Sequence, residues 1–102
     1  MSADAGLVPA VLRYLRLRGI PADRKQSGAL RLGDRWVNLG EAGWPDIIGC
    51  LPGGRFLAVE CKAASEKPSA VQVERLGQLA AAGALVVVAR GIEDVERALM
   101  EV

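Results

Sequence analysis

Three polar residues stand at the ends of two apolar runs. Asp46 heads the run Asp46–Leu51, and Glu60 and Lys62 close the run Phe56–Ala63 (FLAVECKA). Between the runs, Pro52-Gly53-Gly54-Arg55 is a strong turn signal. Two strands across so tight a loop predict an antiparallel hairpin. Successive side chains on a strand face opposite ways, so Phe56, Ala58, Glu60 and Lys62 share one face, and Leu57, Val59, Cys61 and Ala63 the other. The start of one antiparallel strand lies beside the end of its partner, which brings Asp46 to Glu60 and Lys62. Oxygen donors from Asp46 and Glu60 suit a hard cation, Mg²⁺ or Mn²⁺, and the backbone carbonyl of Cys61 is a candidate third ligand. Such a cation polarises a phosphate, lowers the pKa of a bound water and stabilises a leaving oxygen. Lys62 could orient or deprotonate the attacking water, or stabilise charge on the phosphate. The competing reading is a same-face Glu60–Lys62 ion pair on a solvated sheet edge, worth little, with Asp46 merely starting a strand. An isolated Glu-x-Lys favours that reading. Pro45-Asp46, a hairpin, and Glu60-x-Lys62 inside an apolar strand together favour chemistry.

The elements that would position these residues follow from periodicity. Leu7–Leu17 has apolar residues at helical spacing, and Gly19 with Pro21 ends it. Short strands are expected at Ala29–Leu32 and Trp36–Leu39, joined by a Gly33-Asp34 turn. Ser69–Gly83 reads as a helix capped by Ser69, with Val73, Leu76, Leu79 and Ala80 inward and Gly83 at its end. Leu85–Ala89 is a continuous apolar run, as a strand buried on both faces would be. Ile92–Val102 is a terminal helix with Ile92, Val95, Leu99 and Val102 inward. This alternation of helices and strands predicts an α/β fold, a mixed central sheet flanked by helices. At 102 residues, one domain spanning 1–102 is expected.

Composition narrows the chemistry further. The chain has no histidine, which excludes zinc-finger, HNH-type and histidine-base hydrolase sites. Its formal net charge is +1, but Arg13, Arg16, Arg18, Arg24, Lys25, Arg31 and Arg35 cluster in one segment against Asp23 and Asp34. A nucleic-acid surface and a merely solvated arginine-rich face are equally good readings of that charge. Cys50 and Cys61 lie in apolar runs and are expected to be buried, unbridged thiols. Residues 1–10 do not read as a signal peptide and no stretch approaches a membrane span, so a cytoplasmic protein is expected.

The stretch Trp44–Lys62 (WPDIIGCLPGGRFLAVECK) resembles the PD-(D/E)XK nuclease superfamily, with Pro45-Asp46 and Glu60-Cys61-Lys62 as its motif. The whole chain resembles a stand-alone VRR-NUC domain. Lys25-Gln26-Ser27-Gly28-Ala29-Leu30-Arg31, Gly43-Trp44-Pro45-Asp46, the Pro52–Arg55 turn and Lys67-Pro68-Ser69-Ala70-Val71-Gln72 each resemble a segment of that family. The resemblance implies a restriction-endonuclease-like αβββαβ core and a Mg²⁺- or Mn²⁺-dependent DNA endonuclease. It implies Asp46 and Glu60 as metal ligands, Lys62 as the catalytic lysine and Gln72 as a supporting residue. Stand-alone members resemble homodimers, often phage-borne, that act on branched, Holliday-junction-like DNA. The implied setting is the cytoplasm of a bacterial or phage-infected host cell.

Several residues carry two readings. Ser69-x-x-Gln72 is also a capping box, in which Gln72 satisfies a helix-end N–H. The family's first-helix glutamate has no counterpart before Glu41; Asp4 is the best substitute by spacing, and equally a plain N-cap. Trp44, in a glycine-rich loop beside Asp46, could stack on a base, whereas Trp36 reads as core. Arg24, Lys25, Arg31 and Arg35 are candidate phosphate contacts. The alternative to a nuclease is a DNA-binding or accessory module that does not cut.

Overall fold

A computed structural model describes residues 6–25 and 28–102 of the chain. Asp4, the expected substitute for the first-helix acid, lies outside the described residues, as do Gln26 and Ser27. Helix α1 (Leu7–Leu17) buries Val8, Val11 and Leu15, the three-four spacing that makes one helical face apolar. The chain then turns into strand β1 (Ala22–Arg24), which pairs antiparallel with β4 (Ile47–Cys50). Gly49 makes this pairing possible. A Cβ there would lie 2.7 Å from the Pro21 carbonyl oxygen, so any larger residue would push β1 away.

β4 and β5 (Phe56–Cys61) form the expected hairpin, with Ile47 opposite Val59 and Cys50 opposite Phe56. β5 then leads through α2 (Ala70–Ala81) into β6 (Leu85–Ala89), which runs parallel to it. The four-stranded mixed sheet has the order β1-β4-β5-β6, and α3 (Ile92–Met100) follows it. One sheet face carries Leu57, Val59, Cys61, Val87 and Ala89 against Val8, Val11 and Leu15 of α1 and Val95 and Leu99 of α3. The opposite face carries Ile48, Phe56, Ala58 and Glu60 toward α2. This is the α/β architecture expected, compatible with a restriction-endonuclease-like core. Among the described residues, no helix is long and apolar enough to cross a membrane.

Some expectations are corrected. β1 was not anticipated, because three residues are too few to show a period. Strands β2 (Gly28–Leu32) and β3 (Arg35–Gly40) form their own two-stranded sheet instead of joining the central one. Trp36 on β3 is therefore not core but 68% exposed. Cys61 is buried as expected, but Cys50 is exposed at the hairpin's end; neither is in a disulfide. On α2, Leu76 is buried, whereas Val73 and Ala80 are exposed and Leu79 is half-buried, because the helix presses only a narrow stripe on the sheet. β6 is an edge strand of the sheet and is only partly covered. The last helix ends at Met100, and Val102 beyond it is exposed.

Candidate active site

The β4–β5 register places Asp46 one step before the Ile47–Val59 pair, and so beside Glu60. Each acid accepts a backbone N–H from across the hairpin. The Asp46 N–H donates to Glu60 Oε1 at 3.2 Å, and the Cys61 N–H donates to Asp46 Oδ2 at 2.9 Å. Lys62 continues past β5, where its N–H donates to the Ala89 carbonyl at 3.0 Å and extends the parallel ladder by one residue. Its side chain then turns to the face of Glu60, and Nζ lies 3.2 Å from Glu60 Oε2. Glu60 is 1% exposed and the Lys62 side chain 16%. The solvated-edge ion pair weighed from sequence is thereby excluded: this carboxylate is enclosed.

Gln72 joins the two halves of the site. Its N–H donates to Ser69 Oγ at 3.2 Å and its Oε1 accepts from the Ser69 N–H at 2.8 Å, a complete capping box. Its Nε2 meanwhile donates to Glu60 Oε2 at 2.8 Å. The cap is present in full, and the same amide also reaches Glu60. An amide has one acceptor end and one donor end; the cap commits the oxygen to the helix, so the NH₂ group is turned to Glu60.

The loop before β4 completes the enclosure. Gly43 has φ +93°, and a Cβ there would lie 2.6 Å from Val71 Cγ1 and 2.9 Å from the Val71 carbonyl oxygen. Only glycine lets this loop pass so close to the start of α2, three residues before Asp46. Pro45 is fully buried behind it.

Burial, and next to it the charge of Asp46, raise the Glu60 carboxyl above its ordinary value; Lys62 and the Asp46 N–H offset part of that rise. A divalent cation fits this donor set. Both side chains are hard oxygen donors, and a cation beside them would relieve the repulsion that raises Glu60. Among the described residues no group of three or more Cys, Asp or Glu side chains could hold a metal.

The candidate phosphate contacts separate into groups. The Lys25 N–H donates to the Asp46 carbonyl at 2.8 Å, which puts Lys25 at the site. Trp44 stands with Lys25, whose Nζ is 5.8 Å from the ring centroid, and with Arg75, whose Cζ is 4.7 Å from it. Arg24, one residue earlier on β1, lines a groove with Val8, Leu12, Arg13 and Arg16 of α1, on the other side of the sheet. Arg31 and Arg35 lie on the β2–β3 hairpin, outside the sheet that carries the site, with Arg31 6.0 Å over the exposed Trp36 ring. Sequence reasoning missed Arg75 and its ion pair with Glu41. The signal was present: Arg75 follows Gln72 by three residues, so the two share a helix face.

The fold and the site together define an α/β domain with a buried glutamate, a half-buried aspartate, a lysine and a glutamine at one sheet end. No family model matches the chain. It is similar to a protein named "Putative nuclease p44" from Acyrthosiphon pisum secondary endosymbiont phage 1, with 41% identity over 54 residues. The matched stretch covers 53% of this chain and 58% of that protein, so the chain spans little more than half the length of its relative.

Proposed function

We propose that this chain is a divalent-metal-dependent DNA endonuclease that hydrolyses phosphodiester bonds. The observation that carries this reading is the buried Glu60 carboxylate beside the half-buried Asp46, with Lys62 Nζ 3.2 Å from Glu60. The similarity to the phage protein named a nuclease supports the same reading. Asp46 and Glu60, with the Cys61 carbonyl, would hold Mg²⁺ or Mn²⁺; Asp4 is a further candidate ligand from outside the described residues. Bound there, the cation would supply Lewis-acid activation of phosphate and water. The chain's own residues do the positioning. The Cys61 N–H fixes the Asp46 carboxylate, and the Asp46 N–H and Gln72 amide fix that of Glu60. Lys62, which keeps a solvent-facing edge, can donate to a phosphate oxygen or orient the attacking water. Lys25 and Trp44 would contact the bound strand beside the site, and Arg24, Arg31 and Arg35 would contact phosphates farther along.

The finer reading is a homodimer acting on branched DNA. A two-fold dimer suits a junction with two symmetric strands, and the exposed Leu30 and Leu32 on one face of the β2–β3 hairpin offer apolar surface for assembly. The test is a cleavage panel of a four-way junction, flaps, single strands and plain duplex, with Mg²⁺ and Mn²⁺ separately. Preferential cutting of branched substrates supports the finer reading; equal cutting of plain duplex removes it. A second reading, a module that binds DNA without cutting, is favoured by the lack of a third carboxylate beside the pair among the described residues. It predicts retention of DNA in EDTA and no product with either metal.

A further inference from the structure

A cavity of about 400 Å³ opens beside the site on the α2 face of the sheet. It is lined by Ile48 and Phe56 of the sheet, by Leu79 of α2 and Ala82 just after it, and by Trp44 and Lys25 next to Asp46. Its volume lies in the range of small-ligand pockets, and its lining is apolar and aromatic with one cationic edge. Two links join its lining to the candidate active site. Trp44 is two residues before Asp46, and the Lys25 N–H is bonded to the Asp46 carbonyl.

We propose that this cavity receives an unpaired nucleobase of the strand whose phosphate is held at Asp46 and Glu60. The inference rests on the nuclease reading for its phosphate and on the cavity for its base. A flat aromatic heterocycle is what an apolar slot with an aromatic wall accepts. The Lys25 ammonium, which lies over the Trp44 ring at the cavity's edge, supplies charge for a phosphate that flanks such a base. A paired base cannot enter, because its faces are covered by stacking neighbours. The occupant is therefore a nucleotide from a single strand, a flap or a junction's open centre. The apolar lining gives little means to read base edges, so binding is indifferent to base identity.

The test uses the full chain in EDTA, where no metal-dependent cleavage occurs. Trp36 and Trp44 are the two tryptophans, so Trp36→Phe leaves Trp44 as the reporter. Single-stranded DNA should quench Trp44 emission, whereas the same strand made fully duplex, or carrying abasic sites, should not. Ala82→Phe, at an exposed position on the cavity wall, should fill it and weaken single-strand affinity about 10-fold, the scale of one lost base stack. Its duplex affinity and thermal stability should stay unchanged. Equal quenching by duplex and abasic strands, or an Ala82→Phe variant with unaltered single-strand affinity, overturns the proposal. So does Trp44 emission that changes with protein concentration in the absence of DNA, which would give the cavity to a second copy. A parallel cleavage assay with Mn²⁺ separates the two readings. Quenching without product keeps the base site and removes the nuclease, and product without quenching does the reverse.

Discussion

Gln72→Glu is the substitution that best separates the two duties of Gln72. Glutamate at this position of a capping box serves the helix as well as glutamine does, since its carboxylate also accepts the Ser69 N–H. If Gln72 were only a cap, the variant would be neutral or slightly stabilising. In this structure Gln72 Nε2 lies 2.8 Å from Glu60 Oε2, and the change replaces that donor with an anion. Two carboxylates about 4 Å apart repel by roughly 4 kcal/mol at an effective dielectric constant of about 20. The penalty is limited because one of them can take a proton instead, which at pH 7 costs a carboxyl of ordinary pKa about 4 kcal/mol. A loss of about 2–4 kcal/mol at pH 7 is therefore expected, which for a domain of this size lowers Tm by about 10 °C or more. A carboxyl with a raised folded pKa withdraws stability as pH rises through that pKa, so the penalty should shrink toward pH 4. The assay is thermal and urea unfolding of both proteins in EDTA at pH 4, 5, 6 and 7. A Gln72→Glu protein as stable as the parent at pH 7 would refute the placement of Gln72 against Glu60.

Two further predictions follow from the same geometry. Without metal, the parent protein should lose stability as pH rises from below the ordinary Glu60 value of 4.5 through its raised folded value; Asp46→Asn, which removes a charge but keeps an acceptor for the Cys61 N–H, should move that loss to lower pH in urea titrations. An identical profile in the two proteins would remove Asp46 as a cause of the rise. Gly43→Ala should cost about 2–3 kcal/mol, from the positive φ and the approach of the new Cβ to Val71, and should reduce cleavage by displacing the Asp46 loop. A melting temperature equal to the parent's would contradict the tight passage of that loop over α2.

The parts legible in the sequence were those governed by local chemistry. The Pro52–Arg55 turn and the alternation of Phe56–Ala63 were enough to predict that Asp46, Glu60 and Lys62 meet, because a tight hairpin leaves no choice of register. Helices α1 and α2 were predicted from period and caps, with Ser69 at the N-cap. What was missed depends on long-range placement. Trp36 reads as core by residue type, but its hairpin stands apart from the sheet, and no local pattern says whether a hairpin will be covered. β1 exists because β4 offers an edge and Gly49 leaves room for it, neither of which a three-residue segment can announce. Arg24 and Lys25 are equal in sequence, yet a strand sends neighbours to opposite faces, so Lys25 comes to the site and Arg24 lines the α1 groove. The double duty of Gln72 was open from sequence because a capping box and a carboxylate contact use different ends of one amide.

The central claim is that Asp46, Glu60 and Lys62 form a metal-assisted phosphodiesterase centre. The most direct test is cleavage of a labelled four-way junction by the purified protein with Mn²⁺, Mg²⁺ or EDTA, beside Asp46→Ala, Glu60→Ala and Lys62→Ala proteins checked for fold by circular dichroism. The account predicts product with metal, none in EDTA, and loss of at least about 100-fold in each folded variant, the scale of one removed acid–base or charge-stabilising group. Undiminished cutting by any of the three variants, or cutting by the parent in EDTA, would contradict it.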